Sequence, residues 1–296
     1  MRLPTYVLRN GALVLPAQAT LSVFNPAIYG AYGIYESMQV ARGIVFARQM
    51  HLGRLLRSAD ILGLKLPADP ATLDRWIDEV LLANAATDCT LRLFVVGGED
   101  GGEGTTFIWP QPPTVFPESF YTDGVSALTY EGERYLPQAK SLNTLVTFLA
   151  RRDAQARGVH EALLHHAGYL TEGSNSNLFA VLDAEVLTPP GEQVLAGVTR
   201  DVLIGWAAEH GLRIREARLA LADLPRWREC FITSTSRHVM PVTTIDARPV
   251  GDGRVGPVTR RLAAIFEEHF AQAMGLSVGD AAPAFTRYWT HERSQP

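Results

Sequence analysis

Residues 110–119 read PQPPTVFPES, four prolines in ten positions. Proline has no N–H to give a ladder and breaks a helix interior, so no central strand or long helix is expected to run through this stretch. It divides a chain of 296 residues, a length that holds one large or two medium cores. The expected organisation is a small α/β domain over 1–115, an interdomain linker over 116–123, a larger domain over 124–278 and a peripheral tail over 279–296. Before the prolines, Leu52, Leu55, Leu56, Ala59 and Leu62 recur at helical spacing. Residues 71–86 predict a second amphipathic helix and 91–96 a strand. After them, helices are expected at 141–157, at 198–210 and at 257–274, with Gly158 and Gly211 as stops and Pro257 as a start. Short strands are expected around 162–164, 177–181, 185–187 and 230–233.

Composition excludes several classes. A net charge of -4 argues against nucleic acid as a partner. No apolar run is long enough to span a bilayer, so no membrane partner is expected. Residues 1–16 lack the long apolar core of a secretion signal. Cys89 and Cys230 lie far apart without metal spacing, which fits a reduced, cytoplasmic setting and no bound metal.

Of 27 basic residues, only Lys65 and Lys140 are lysines. A sequence that uses arginine wherever a plain charge serves keeps lysine where an amine must lose its proton and act as a nucleophile. Lys65, in LGLKLP, reads as a surface residue. Lys140 stands just before the helix expected at 141, where the positive end of the macrodipole would disfavour an ammonium. Glu172 precedes a tight polar turn that leads into a strand; it reads either as an exposed turn residue or as a carboxylate facing a cationic ring nitrogen. Gly197, Val198 and Thr199 open a helix whose amides form an anion site, and Ser234, Thr235 and Ser236 follow a strand with further hydroxyls and amides. Two glycine-rich stretches read as loops. Residues 251–256 fit G-x-G-x-x-G but lack the preceding buried strand, and residues 97–104 are acidic and lack the Gly-Lys-Ser/Thr ending of a phosphate loop. His165 and His166 have no partner at zinc-ligand spacing and read as structural.

Seven strings stand in order along the chain: GIYE (33–36), HLGRL (51–55), KSLN (140–143), TEG (171–173), SNLF (176–179), GVTR (197–200) and GPVT (256–259). Together they resemble the class IV aminotransferases that use pyridoxal 5'-phosphate (PLP), a family holding branched-chain aminotransferase, D-amino acid aminotransferase and aminodeoxychorismate lyase. The resemblance runs from about Tyr29 to Phe270. It implies a mixed α/β (α+β) fold, with a small N-terminal domain and a larger C-terminal one around a β-barrel-like core. It implies that Lys140 is the Schiff-base lysine and proton shuttle, and that Glu172 partners the pyridine nitrogen. Arg54, Val198, Thr199, Ser234 and Thr235 would hold the phosphate, Leu195 would pack on the ring, and Asn177 would belong to the same cofactor site. Tyr35, Arg92 and Ser236 fall on the substrate side. The implied assembly is a homodimer, and the implied partners are an amino acid and a 2-oxo acid.

The chain departs from the family's patterns in three places. Leu145 stands where branched-chain enzymes have tyrosine. Gly97 stands where D-amino acid enzymes and the lyase carry an arginine, with Arg92 and Arg237 as possible replacements. His238 stands where the family usually has glutamate. The missing arginine and the acidic glycine loop favour an uncharged, aliphatic side chain. The expected function is therefore amino transfer from branched-chain L-amino acids, then from D-amino acids, then lyase action, with PLP binding without turnover last.

Overall fold

The computed structural model describes residues 3–276, and the tail expected over 279–296 lies outside the described residues. The described residues form two compact units, one of residues 3–114 with 139–143, the other of residues 115–138 with 144–276.

The first unit is a six-stranded sheet with two helices. Its elements are β1 (Val7–Arg9), β2 (Ala12–Val14), β3 (Gly33–Ala41), β4 (Ile44–Val45), α1 (Arg48–Leu62), α2 (Pro70–Ala83), β5 (Cys89–Val96) and β6 (Thr105–Gln111). The strand order is β2-β1-β6-β5-β3-β4, all antiparallel. Helix α2 starts where Asp69 accepts from the Thr72 amide and Pro70 takes the first turn. Ile34, Met38 and Val40 of β3 join Leu52, Leu55, Leu73 and Ile77 of the helices in one buried core.

The proline stretch differs from the expectation. Pro110 lies inside β6, opposite Leu91 of β5. The other neighbour, β1, pairs only with Phe107 and Ile108, so Pro110 sits at an edge position where a missing N–H costs little. Residues 119–122 form a helical turn, α3 (Ser119–Thr122).

The second unit continues with β7 (Val125–Glu131), α4 (Leu145–Ala156), β8 (Glu161–His166), β9 (Tyr169–Gly173), β10 (Ser176–Leu182) and β11 (Glu185–Thr188). It is completed by α5 (Val198–Glu209), β12 (Ile214–Glu216), β13 (Leu219–Ala220), β14 (Glu229–Ser234), β15 (His238–Ile245), β16 (Arg248–Pro249) and α6 (Pro257–Ala273). Neighbours run β10-β14-β15-β7-β8-β9, and β9 pairs back with β10. That closed circuit is the barrel-like core that the resemblance implies. Val125, Leu163, Leu178, Ile232, Met240 and Val242 fill one buried cluster of it.

Two further expectations change. Helix α4 starts at Leu145, not at 141, because residues 140–142 pair instead with β3. The Tyr35 amide donates to the Lys140 carbonyl (3.0 Å), and the Leu142 amide to Gly33 (2.8 Å). Lys140 therefore precedes the helix by five positions, and the macrodipole, whose influence ends within the first turn, gives no account of its chemistry. The G-x-G-x-x-G stretch is a turn, with Gly251 and Gly253 at positive φ. The start of α6 beyond it is filled by the chain's own Glu229, which accepts from the Val258 and Thr259 amides (3.1 and 2.7 Å).

Candidate active site

In the first unit, alternation along β3 sends neighbouring residues to opposite faces. Tyr35 pairs across the ladder with Phe94, and Ser37 with Arg92. Tyr35, Arg92, Phe94 and Trp109 thus share one face. The Tyr35 and Phe94 rings lie 5.6 Å apart, and Phe94 meets Trp109 edge-on at 5.0 Å. The Lys140 Nζ stands 4.5 Å from the Tyr35 ring centroid. The Arg92 guanidinium lies 5.6 and 5.5 Å from the Tyr35 and Phe94 rings and bonds to no carboxylate among the described residues. Burial pulls its pKa below the ordinary arginine value. Lys140, Tyr35 and Arg92 are therefore brought together.

The opposite face of β3 carries Glu36, buried beneath α1. Arg54 forks onto it, with Nε donating to Oε1 (2.8 Å) and Nη2 to Oε2 (2.7 Å). The His51 Nδ1 meets Oε2 at 2.8 Å. Burial alone would raise the Glu36 pKa, but Arg54 and then His51 hold it far below the usual carboxylate range. Burial pushes His51 down, with Glu36 opposing, so the neutral ring donates its Nδ1–H to the carboxylate. One hydroxyl links this group to Lys140: the Lys140 amide donates to Ser58 Oγ (3.0 Å), which donates to the Arg54 carbonyl (2.8 Å).

In the second unit, Glu172 is buried on β9, with Oε1 3.6 Å from Arg134 Nη1. Its Oε2 accepts from the Leu195 amide at 3.4 Å, while the Asn177 side-chain amide donates to the Leu195 carbonyl at 2.9 Å. Glu172 and Asn177 face each other across the β9–β10 ladder and together grip the residue that leads into α5. Gly197 follows; a Cβ there would stand 1.8 Å from Asn177 Oδ1, so only glycine fits. Helix α5 opens with no side-chain cap, and Val198 and Thr199 are buried in its first turn. Asn177 also pairs with Thr233, one residue before Ser234. The start of α5 and the turn at Ser234, Thr235 and Ser236 thus both stand next to Asn177, and the two groups expected on the phosphate converge.

Glu36, His51, Ser58, Arg134 and Glu161 are not among the residues expected at the site from sequence. A signal existed for the first three. Period-2 alternation places Glu36 on the same face as Ile34 and Met38, and positions 51, 54, 55 and 58 share one stripe of α1. His238, the departure from the family's glutamate, recovers a carboxylate from elsewhere, its Nδ1 meeting Glu267 Oε1 at 2.7 Å.

The first unit holds a lysine beside β3, and the second holds a buried carboxylate and an uncapped helix start flanked by hydroxyls; each is a group that a phosphate-bearing aldehyde cofactor requires. Comparison with known proteins makes the class specific. The family described as "Amino-transferase class IV" matches residues 33–245. A Methanocaldococcus jannaschii protein, provisionally named branched-chain-amino-acid aminotransferase, is 34% identical over 88% of this chain and 94% of its own length. The D-alanine aminotransferase of Bacillus licheniformis is 32% identical over 86% and 94% of the two chains. A branched-chain amino acid aminotransferase from T.th., solved with pyridoxamine 5'-phosphate, superposes with a TM-score of 0.84 at 27% identity, covering 97% of each chain.

The chain belongs to the class IV aminotransferases. It is an aminotransferase, and its cofactor is PLP. The residues present fit that group. Among the described residues, Ser234 Oγ and Thr233 Oγ1 are buried without a hydrogen-bond partner, beside the uncapped start of α5, which suits a phosphate. No helix among the described residues is long and apolar enough to cross a membrane.

Proposed function

We propose that this aminotransferase moves amino groups from branched-chain L-amino acids to a 2-oxo acid, as a cytoplasmic homodimer. When bound, PLP supplies the electron sink for charge left at the substrate α-carbon. Lys140 carries the cofactor through Nζ and then moves the α-proton. Glu172, seated against Arg134, would hold the pyridine nitrogen protonated, and Leu195 would pack on the ring. Arg54, Val198, Thr199, Ser234 and Thr235 hold the phosphate, with Asn177 fixing the approach to α5. Tyr35 and Arg92 border the substrate, and the amides around Thr235 and Ser236 take the α-carboxylate.

One observation carries the substrate assignment. Gly97 occupies the place where D-amino acid enzymes of the family carry an arginine, and here Tyr32 fills that place. A Cβ on Gly97 would stand 2.2 Å from Tyr32 Cδ1, and the ring is held by its hydroxyl donating to Gly63 O (3.0 Å). The aromatic wall of Tyr35, Phe94 and Trp109 suits an aliphatic side chain. A second reading, D-amino acid transfer, is supported by Leu145 and by the D-alanine aminotransferase relative. Mixing the PLP-loaded enzyme with each donor and following the cofactor's absorbance separates the two. L-leucine, L-isoleucine or L-valine should react faster than D-alanine; the reverse order would transfer the assignment to D-amino acids and make Arg92 the carboxylate ligand to test first.

Association of two copies is supported by an apolar surface at Val23, Phe24 and Tyr29, exposed by 70%, 83% and 74%. Light scattering of the purified protein should give twice the chain mass, and a monomer at micromolar concentration would end the dimer proposal. The cytoplasmic setting is supported by Cys89 and Cys230, both buried free thiols, with burial pushing the Cys89 pKa up to about 12.

A further inference from the structure

Strands β14 and β15 are joined by a tight turn, closed by the Arg237 amide donating to the Ser234 carbonyl (3.2 Å). Its Thr235 and Ser236 amides are those assigned above to the substrate. The rest of the turn is anchored from three directions. The Arg237 side chain is 14% exposed, lies 5.5 Å from the Phe116 ring and ends 3.8 Å from Glu161 Oε2. The Arg237 carbonyl accepts from the Tyr121 hydroxyl (3.2 Å). His238 adopts a left-handed φ of 52°, bonds Glu267, and packs its ring against Phe266 and Phe270 at 4.8 and 4.5 Å.

Glu161 is the unusual member. It is 1% exposed, and its oxygens accept from the Ser174 amide (3.1 Å), Ser174 Oγ (2.5 Å) and Ser176 Oγ (2.9 Å). Those serines form the turn between β9 and β10, the hairpin that carries Glu172 and Asn177. One buried carboxylate therefore touches both the hairpin of the cofactor-facing acid and the arginine of the substrate-side turn. A glutamine there would keep one accepting oxygen for the serines but turn donors towards Arg237 or a hydroxyl.

We propose that Glu161 and Arg237 are positioning residues for amino transfer, tying the Ser234–His238 turn to the Glu172 hairpin so that the Thr235 and Ser236 amides stand ready for the substrate carboxylate. The inference rests on the assignment of those amides to the substrate. It also removes Arg237 as a direct carboxylate ligand, because its guanidinium is turned to Glu161. Preorganised amides bind without first being ordered, so loosening the tether acts on substrate binding more than on the cofactor.

The test uses PLP-loaded Arg237→Met, Arg237→Lys, Glu161→Gln and the Glu161→Gln/Arg237→Met double variant. Arg237→Met keeps the side-chain length and its contact with Phe116 while removing the charge. It should speed amide exchange across residues 235–238 and raise the donor KM, each roughly five- to thirtyfold, with kcat and cofactor affinity changing much less. Arg237→Lys should restore part of both. The double variant should be no worse than the more affected single one. Unchanged exchange in Arg237→Met, or losses that multiply in the double variant, would overturn the tether. Faster exchange with an unchanged KM would instead overturn the assignment of the amides to substrate, and the catalytic inference with it. Should Glu161→Gln fail to fold, the two Arg237 variants still decide between these outcomes.

Discussion

Changing Glu36 to glutamine removes one charge and no volume from the most enclosed ion group of the first unit. Glu36 is fully buried, and Arg54 is 3% exposed. At 2.8 Å and an effective dielectric of 20, their attraction is about 6 kcal/mol before desolvation is counted. Glutamine can still accept from Arg54 Nε, but its amide group then faces Arg54 Nη2 and His51, two donors against a donor. Leaving a buried guanidinium uncompensated costs about 3–5 kcal/mol, which at about 4 °C per kcal/mol for a unit of this size corresponds to a fall in Tm of roughly 12–20 °C. Thermal melting of the cofactor-free protein, followed by circular dichroism, measures this without involving turnover. The Glu36→Gln/Arg54→Met double variant removes both charges and should recover more than half of the loss, since a buried pair replaced by apolar groups is often neutral. A Glu36→Gln protein within about 1 kcal/mol of the parent, or a double variant as unstable as the single one, would refute the argument that Arg54 depends on Glu36 for its burial.

Glu172→Gln should bind PLP with little loss yet turn over roughly a hundred- to a thousandfold more slowly, because a neutral amide stabilises a protonated ring nitrogen poorly; near-normal kcat in steady-state assay would make Glu172 a turn residue only. Acid should destabilise the first unit in two stages. His51 and Glu36 both have folded pKa values below their ordinary values of 6.5 and 4.5, so the folded state binds fewer protons than the unfolded one. Their contribution is complete above pH 6.5, declines first through His51 and then, below pH 4.5, through Glu36. A melting series should show the first stage reduced in His51→Gln; an identical profile in that variant would contradict the assignment.

The parts of the proposed site that are legible in the sequence are those set by neighbours in the chain. Lys140 before Ser-Leu-Asn, Glu172 before its turn and Gly197 before α5 all sit in short strings whose local chemistry is visible. Helices α2, α5 and α6 follow their apolar period and their caps closely for the same reason. What was hidden depends on long-range pairing. Leu142 is drawn to Gly33, more than a hundred residues earlier, and this delays α4 by four positions. Strand β3 escapes an alternation search because Glu36 interrupts its buried face and Gln39 and Ala41 are buried on the other. Only when α1 lies across it do Glu36, His51 and Arg54 become one group. Glu161 is hidden similarly, since its partners come from the β9–β10 turn and from Arg237.

Lys140 is proposed to carry the cofactor, and every other role at the site depends on it. With only two lysines in the sequence, the claim reduces to a choice between two peptides. The protein is loaded with PLP, reduced with borohydride, digested and mapped by mass spectrometry. A phosphopyridoxyl group on the peptide containing Lys140, absent in Lys140→Ala and retained in Lys65→Arg, is the predicted result. Modification of Lys65 instead, or a Lys140→Ala protein that keeps the parent's visible absorbance band, would contradict it.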